Sequence, residues 1–152
     1  MTASKNIAIV IGTFHGQDTE TMLDSARIAA AAAGLTIAAE VWVPGSYEKP
    51  LAVKSLLTRD DIDGAVVLGI IERGETAHGR VMGQTVSDAL VRLQLEFMKP
   101  VGMGILGPEI MPSQIAPRLK SYAAAAVEAV AVMLKSSLSA ARAAPNRSGP
   151  AS

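Results

Sequence analysis

At 152 residues the chain has the length of one domain, enough to bury about two-thirds of the surface its unfolded form would expose. Lys plus Arg (14) equal Asp plus Glu (14), so no basic surplus exists for a nucleic-acid backbone or an anionic membrane, and any bound anion must be held locally. Cysteine is absent, which removes disulfides, thiolate nucleophiles and Cys-based zinc sites, and two histidines argue against a dedicated metal cage.

Apolar residues make up 49% of the chain and aromatics only 3%, so the core must be built from closely packed aliphatic side chains. Met1–Asn6 has no charged segment leading into an apolar stretch, and no window approaches about 18 strongly apolar residues in a row; a soluble, cytoplasmic protein is expected.

Ile7–Gly12 reads as a strand buried on both faces, followed by a helix over Asp18–Ala33 that Gly34 closes. Thr36–Val43 is a β-branched run ending at Pro44-Gly45, and Pro50 opens a helix to about Thr58. Asp63–Ile70 contains the continuous apolar run Ala65–Leu68, and an amphipathic helix follows from about Thr76 to Met98. Val101–Leu106 is a fourth strand that Gly107-Pro108 should break, and a last helix spans about Pro117–Leu138. Four strands alternating with helices imply an α/β fold, a three-layer sandwich around a four-stranded parallel sheet, because parallel neighbours need long crossovers. A single domain over 1–138 is expected, with a disordered tail over 139–152, which is small, polar and Pro-rich.

Ligands of such sheets gather outside the carboxyl ends of the strands, so the following loops carry the chemistry. They hold both histidines, His15 and His78, together with Phe14 and Tyr47. Gly74-Glu75-Thr76 leads into a helix whose first N–H groups and dipole suit an oxyanion or phosphate; an ordinary N-cap by Thr76 is the competing reading. His78, in the first turn, is a proton-exchange candidate, against a surface or capping role. Arg118 offers a fork of donors for phosphate, against a solvated helix-start arginine. Phe14 and Tyr47 offer faces for a flat heterocycle and Glu48 an acceptor, against a loop plug and an exposed acid. Trp42 reads as packing.

Three blocks in this order, Val43–Pro50 (VPGSYEKP), Leu68–His78 (LGIIERGETAH) and Lys99–Ile105 (KPVGMGI), with Gln114 and Arg118 beyond them, resemble lumazine synthase. The likeness spans about Ile7–Leu134 and is strongest to the archaeal forms, through Leu57–Asp63 and Gly107-Pro108. The resemblance implies a flavodoxin-like fold and a transferase of riboflavin biosynthesis. It condenses 5-amino-6-(D-ribitylamino)uracil with 3,4-dihydroxy-2-butanone 4-phosphate to 6,7-dimethyl-8-ribityllumazine, without metal or organic cofactor. It also implies homo-oligomers, pentamers or 60-subunit icosahedral shells, with active sites between subunits.

Carried across by position, Phe14 stacks on the pyrimidine, Ser46, Tyr47 and Glu48 hold the ring and ribityl chain, and Ile70 and Ile71 line the ring pocket. Gly74, Glu75 and Thr76 cradle the phosphate, His78 shuttles protons, and Arg118 reaches the phosphate from the adjoining subunit. Met103 occupies a position often held by an aromatic that closes over the ring, His15 one where asparagine is commonest, and Glu72 one that is usually aliphatic. Ala123–Ala126 is a stretch where many members place a basic residue near the phosphate. That last departure motivates an alternative, a non-catalytic assembly or ribityl-ligand carrier on the same scaffold. A further alternative is the archaeal-type riboflavin synthase, against which the Gly74–His78 motif argues.

Overall fold

The computed structural model describes residues 3–136, so the expected tail over 139–152 and the last two residues of the expected domain lie outside the described residues. Strand β1 (Asn6–Gly12) leads to helix α1 (Gly16–Ala32), and β2 (Thr36–Val43) leads through a 3-10 turn (Ser46–Glu48) to α2 (Lys49–Leu57). Strand β3 (Gly64–Glu72) precedes α3 (His78–Phe97), and β4 (Val101–Ile110) precedes a short α4 (Pro112–Ile115), a 3-10 turn (Ala116–Arg118) and α5 (Leu119–Lys135). The strands are parallel in the order β2-β1-β3-β4, the arrangement expected for a flavodoxin-like sheet.

Alternation along the central strands divides the core into two layers. Ile7, Ile9 and Ile11 with Val66 and Leu68 face α1 and α5, whereas Ala8, Val10, Ala65 and Val67 face α2 and α3. Helices on both faces explain why β1 and β3 read as unbroken apolar runs. β2, an edge strand, alternates between exposed and half-buried positions instead.

Alanines serve the layer formed by α1 and α5. Ala123 and Ala126 are buried against the sheet, and a side chain on Gly102 would collide with the carbonyl of Ala126. Thus two of the four residues of Ala123–Ala126 are buried core contacts, while Ala125 is exposed. On the opposite face Gly83, Val86, Leu90 and Leu93 are the buried stripe of α3. Gly34, at φ 74°, ends α1 as expected: its N–H donates to the Ala31 carbonyl (3.1 Å) and that of Leu35 to Ala30 (2.9 Å).

Several expected boundaries move: α1 starts at Gly16 rather than Asp18, and β3 runs to Glu72 rather than Ile70. Gly107-Pro108 does not end β4, which continues to Ile110. The pairing with β3 is irregular there: Ile70 lies opposite Leu106 and Glu72 opposite Ile110, so Gly107–Glu109 bulge out of register and Pro108 takes no ladder position. Helix α3 starts at His78, two residues late, with Ala77 at its cap position. The last helix starts at Leu119, Pro117 lying in the preceding 3-10 turn.

Candidate active site

The order β2-β1-β3-β4 sends the chain to opposite sides of β1 after α1 and α2, opening a crevice where β1 and β3 end together. A cavity of about 430 Å³ occupies that place. Its floor includes Gly12 of β1 and Gly69 and Ile70 of β3; its walls are Phe14, the Gly45–Lys49 turn, Ile71 and Glu72, the loop residues Gly74 and Thr76, and His78 and Met82 of α3.

Of the residues expected at the site, Phe14, Ser46, Tyr47, Glu48, Ile70, Ile71, Gly74, Thr76 and His78 line this one cavity. Glu75, Met103 and Arg118 do not line it within the single chain. Met103 lies on β4 opposite Val67, and Arg118 Nη1 donates to the Gln114 carbonyl at 2.8 Å. These three residues are not gathered by the subunit's own fold.

The turn after β2 is held locally. Gly45 N–H donates to Glu48 Oε2 at 2.9 Å, which fixes one carboxylate oxygen and leaves the acid at the rim. Phe14 stays 70% exposed and Tyr47 48% exposed, an unusual condition for aromatics in a chain so poor in them and one that suits a flat partner. The edges of Tyr47 and His78 meet, with ring centroids 6.1 Å apart at 64°, so the imidazole is placed beside the aromatic wall.

Thr76 is not the N-cap, a position Ala77 holds, but its hydroxyl oxygen accepts the His78 N–H at 3.3 Å, a local turn contact just ahead of the helix. The free hydroxyl hydrogen and the adjoining loop still leave room for an oxyanion at the start of α3, a helix of 20 residues. Gly79 lets this first turn approach β3, since a side chain there would come within 3.1 Å of the Glu72 carbonyl. Across the crevice His15 Nε2 stands 3.6 Å from Glu72 Oε2, while His15 itself, at φ 60°, caps α1 in a left-handed conformation.

One wall residue was quoted in the sequence but not singled out. Lys49 is the largest fully buried side chain of the described residues, 1% exposed, and its Nζ donates to Ser46 Oγ at 3.0 Å. Burial lowers its titration from 10.5 to about 8, against a smaller opposing effect of Glu48. A cation directly before Pro50, in the first turn of a helix where positive charge is disfavoured, was the available signal. Gly12 and Gly69 also line the cavity without having been expected, because the sheet brings the ends of β1 and β3 together, and Met82 joins them from α3.

Comparison with known proteins was made against this geometry. The family model for 6,7-dimethyl-8-ribityllumazine synthase matches residues 4–137. A 6,7-dimethyl-8-ribityllumazine synthase of Staphylothermus marinus is 41% identical over 133 residues, 88% of this chain and 89% of that protein. One of Metallosphaera sedula is likewise 41% identical, covering 88% of each chain. One of Sulfolobus acidocaldarius is 38% identical over 86% of this chain and 82% of that protein. A match of this identity, running through every strand and the whole cavity, shows that the chain belongs to the 6,7-dimethyl-8-ribityllumazine synthase family of enzymes, with its likeness to the archaeal members that the sequence motifs indicated.

Proposed function

We propose that this protein condenses 5-amino-6-(D-ribitylamino)uracil with 3,4-dihydroxy-2-butanone 4-phosphate to form 6,7-dimethyl-8-ribityllumazine, needing no metal or organic cofactor. The observation that carries the proposal is the meeting, in one cavity, of aromatic faces, a helix-start loop and an imidazole. A ring substrate lies against Phe14 and Tyr47, with Glu48 and the Ser46 turn taking its polar edge and ribityl hydroxyls, and Ile70 and Ile71 covering its apolar side. The Gly74–Thr76 loop faces the phosphate end of the second substrate.

Imine formation, loss of phosphate and ring closure each move a proton, and His78, in the first turn of α3 above that loop, is the group to move it. Charge building on the departing phosphate meets the helix start and the loop N–H groups. Holding both substrates in register supplies much of the remaining acceleration.

Arg118 fits a role toward a neighbouring subunit's cavity, since it lies outside its own. The protein then works as a pentamer or a shell of pentamers, with each site completed across an interface. Trp42, 41% exposed on edge strand β2, suits such an interface better than the interior packing expected of it.

The test incubates purified protein with both substrates and follows lumazine absorbance and fluorescence. Turnover above background is expected, and a rate equal to the uncatalysed one rejects the proposal. Binding of lumazine without turnover would instead indicate a carrier, and riboflavin formed from lumazine alone would indicate the related synthase. Light scattering reads the assembly.

A further inference from the structure

Lys49 is costly where it stands. It is almost fully buried, it makes no ion pair among the described residues, and it occupies the first turn of α2, whose dipole opposes a cation. Its one hydrogen-bond partner is Ser46 Oγ, which leaves two of an ammonium's three donors free. The amino group lies in the space that side chains on Gly12 or Gly69 would fill, at the ends of the two central strands and on the wall of the cavity. Two glycines thus clear room for a cation aimed at the deepest part of the crevice.

Resting on the proposed condensation, we propose that Lys49 is a substrate-binding residue of this chain, its Nζ donating hydrogen bonds to a ring carbonyl oxygen of the ribitylaminouracil. The ring has what the amine lacks, acceptors that carry partial negative charge and can enter a narrow apolar floor. A titration near 8 keeps the group largely protonated at neutral pH, so it presents N–H bonds rather than a nucleophilic lone pair. The ionisable groups sharing this cavity are Tyr47 and Glu48 from the preceding turn, His15 from the start of α1, Glu72 from β3 and His78 from α3. None of these carboxylates pairs with the amine, so the ligand is its charge-stabilising partner.

The experiment measures binding of 6,7-dimethyl-8-ribityllumazine, which keeps the pyrimidine carbonyls, to wild-type protein and to Lys49→Met, with steady-state kinetics alongside. The variant is expected to lose about 10- to 100-fold in affinity for the lumazine, with a matching rise in KM for the ribitylaminouracil and a KM for the butanone phosphate within about twofold of wild type. Wild-type calorimetry near pH 8 in buffers of different ionisation enthalpy is expected to show proton uptake, because a bound carbonyl favours the charged amine. That measurement decides the matter if the variant fails to fold. Unchanged lumazine affinity in a folded variant, absence of proton uptake by wild type, or a borohydride-trapped covalent adduct on Lys49 would overturn the donor role. If wild type neither turns over nor binds lumazine, both this inference and the proposed function fail; turnover with an indifferent Lys49 sinks this one alone.

Discussion

Replacing Lys49 by methionine should stabilise the protein at neutral pH, whatever it does to ligand binding. The amine titrates at about 8 instead of 10.5, so its charged form is about 3 kcal/mol less favourable in the fold than in the unfolded chain. Methionine is a flexible side chain of similar length and removes that cost. It also takes the partner of Ser46, a buried hydroxyl, which returns about 1 kcal/mol, so a net gain of about 2 kcal/mol is expected below pH 8. The sign with pH follows from proton binding. Between about 8 and 10.5 the unfolded lysine holds its proton and the folded one has released it, so wild-type stability rises with pH across that window. The variant lacks this rise, and its advantage should shrink to nothing or reverse near the upper end. Urea denaturation of both proteins at equal concentration, repeated at several pH values from about 7 to about 10, reads the difference directly. An advantage that does not change with pH, or a variant less stable at neutral pH, would refute the reasoning.

Within the proposed reaction, His78→Ala is expected to lower kcat by about 10²- to 10⁴-fold with little change in either KM, as steady-state kinetics would show. Arg118→Ala should chiefly raise KM for the butanone phosphate, by the roughly 1.5 to 3 kcal/mol of a charge-assisted pair; an unchanged KM would remove Arg118 from the site. Gly102→Ala forces a methyl group onto the Ala126 carbonyl between β4 and α5, and a loss of about 3 kcal/mol in denaturant unfolding is expected. Arg27 grips Glu40 with two bonds of 2.8 and 2.6 Å, holding that carboxyl below its usual range, so Arg27→Met should lower stability slightly above that range. The difference should fade as acid titrates Glu40, which pH-dependent unfolding would detect.

The two aromatics, the His78 motif and the glycine-rich turns were legible because each marks a loop leaving a strand, and in a parallel sheet those loops share one edge. Nine of the twelve residues expected at the site do line one cavity. The other three, Glu75, Met103 and Arg118, came from the family resemblance, and the single chain does not bring them to that cavity. Lys49 is the converse case: nothing local in the sequence shows that the glycines at positions 12 and 69 admit it to the interior.

Runs of apolar residues and their glycine or proline punctuation are local properties, so the chain alone was enough to define an α/β fold with four strands and the sheet edge at which the cavity lies. Contacts distant along the chain decided the rest. The passage of β4 through Pro108 depends on the break in its register with β3, the alanines of α5 on how closely it approaches the sheet, and the buried ammonium on two strand ends lying side by side. Each is a matter of which surfaces exclude water from one another, and that is settled only when the layers close.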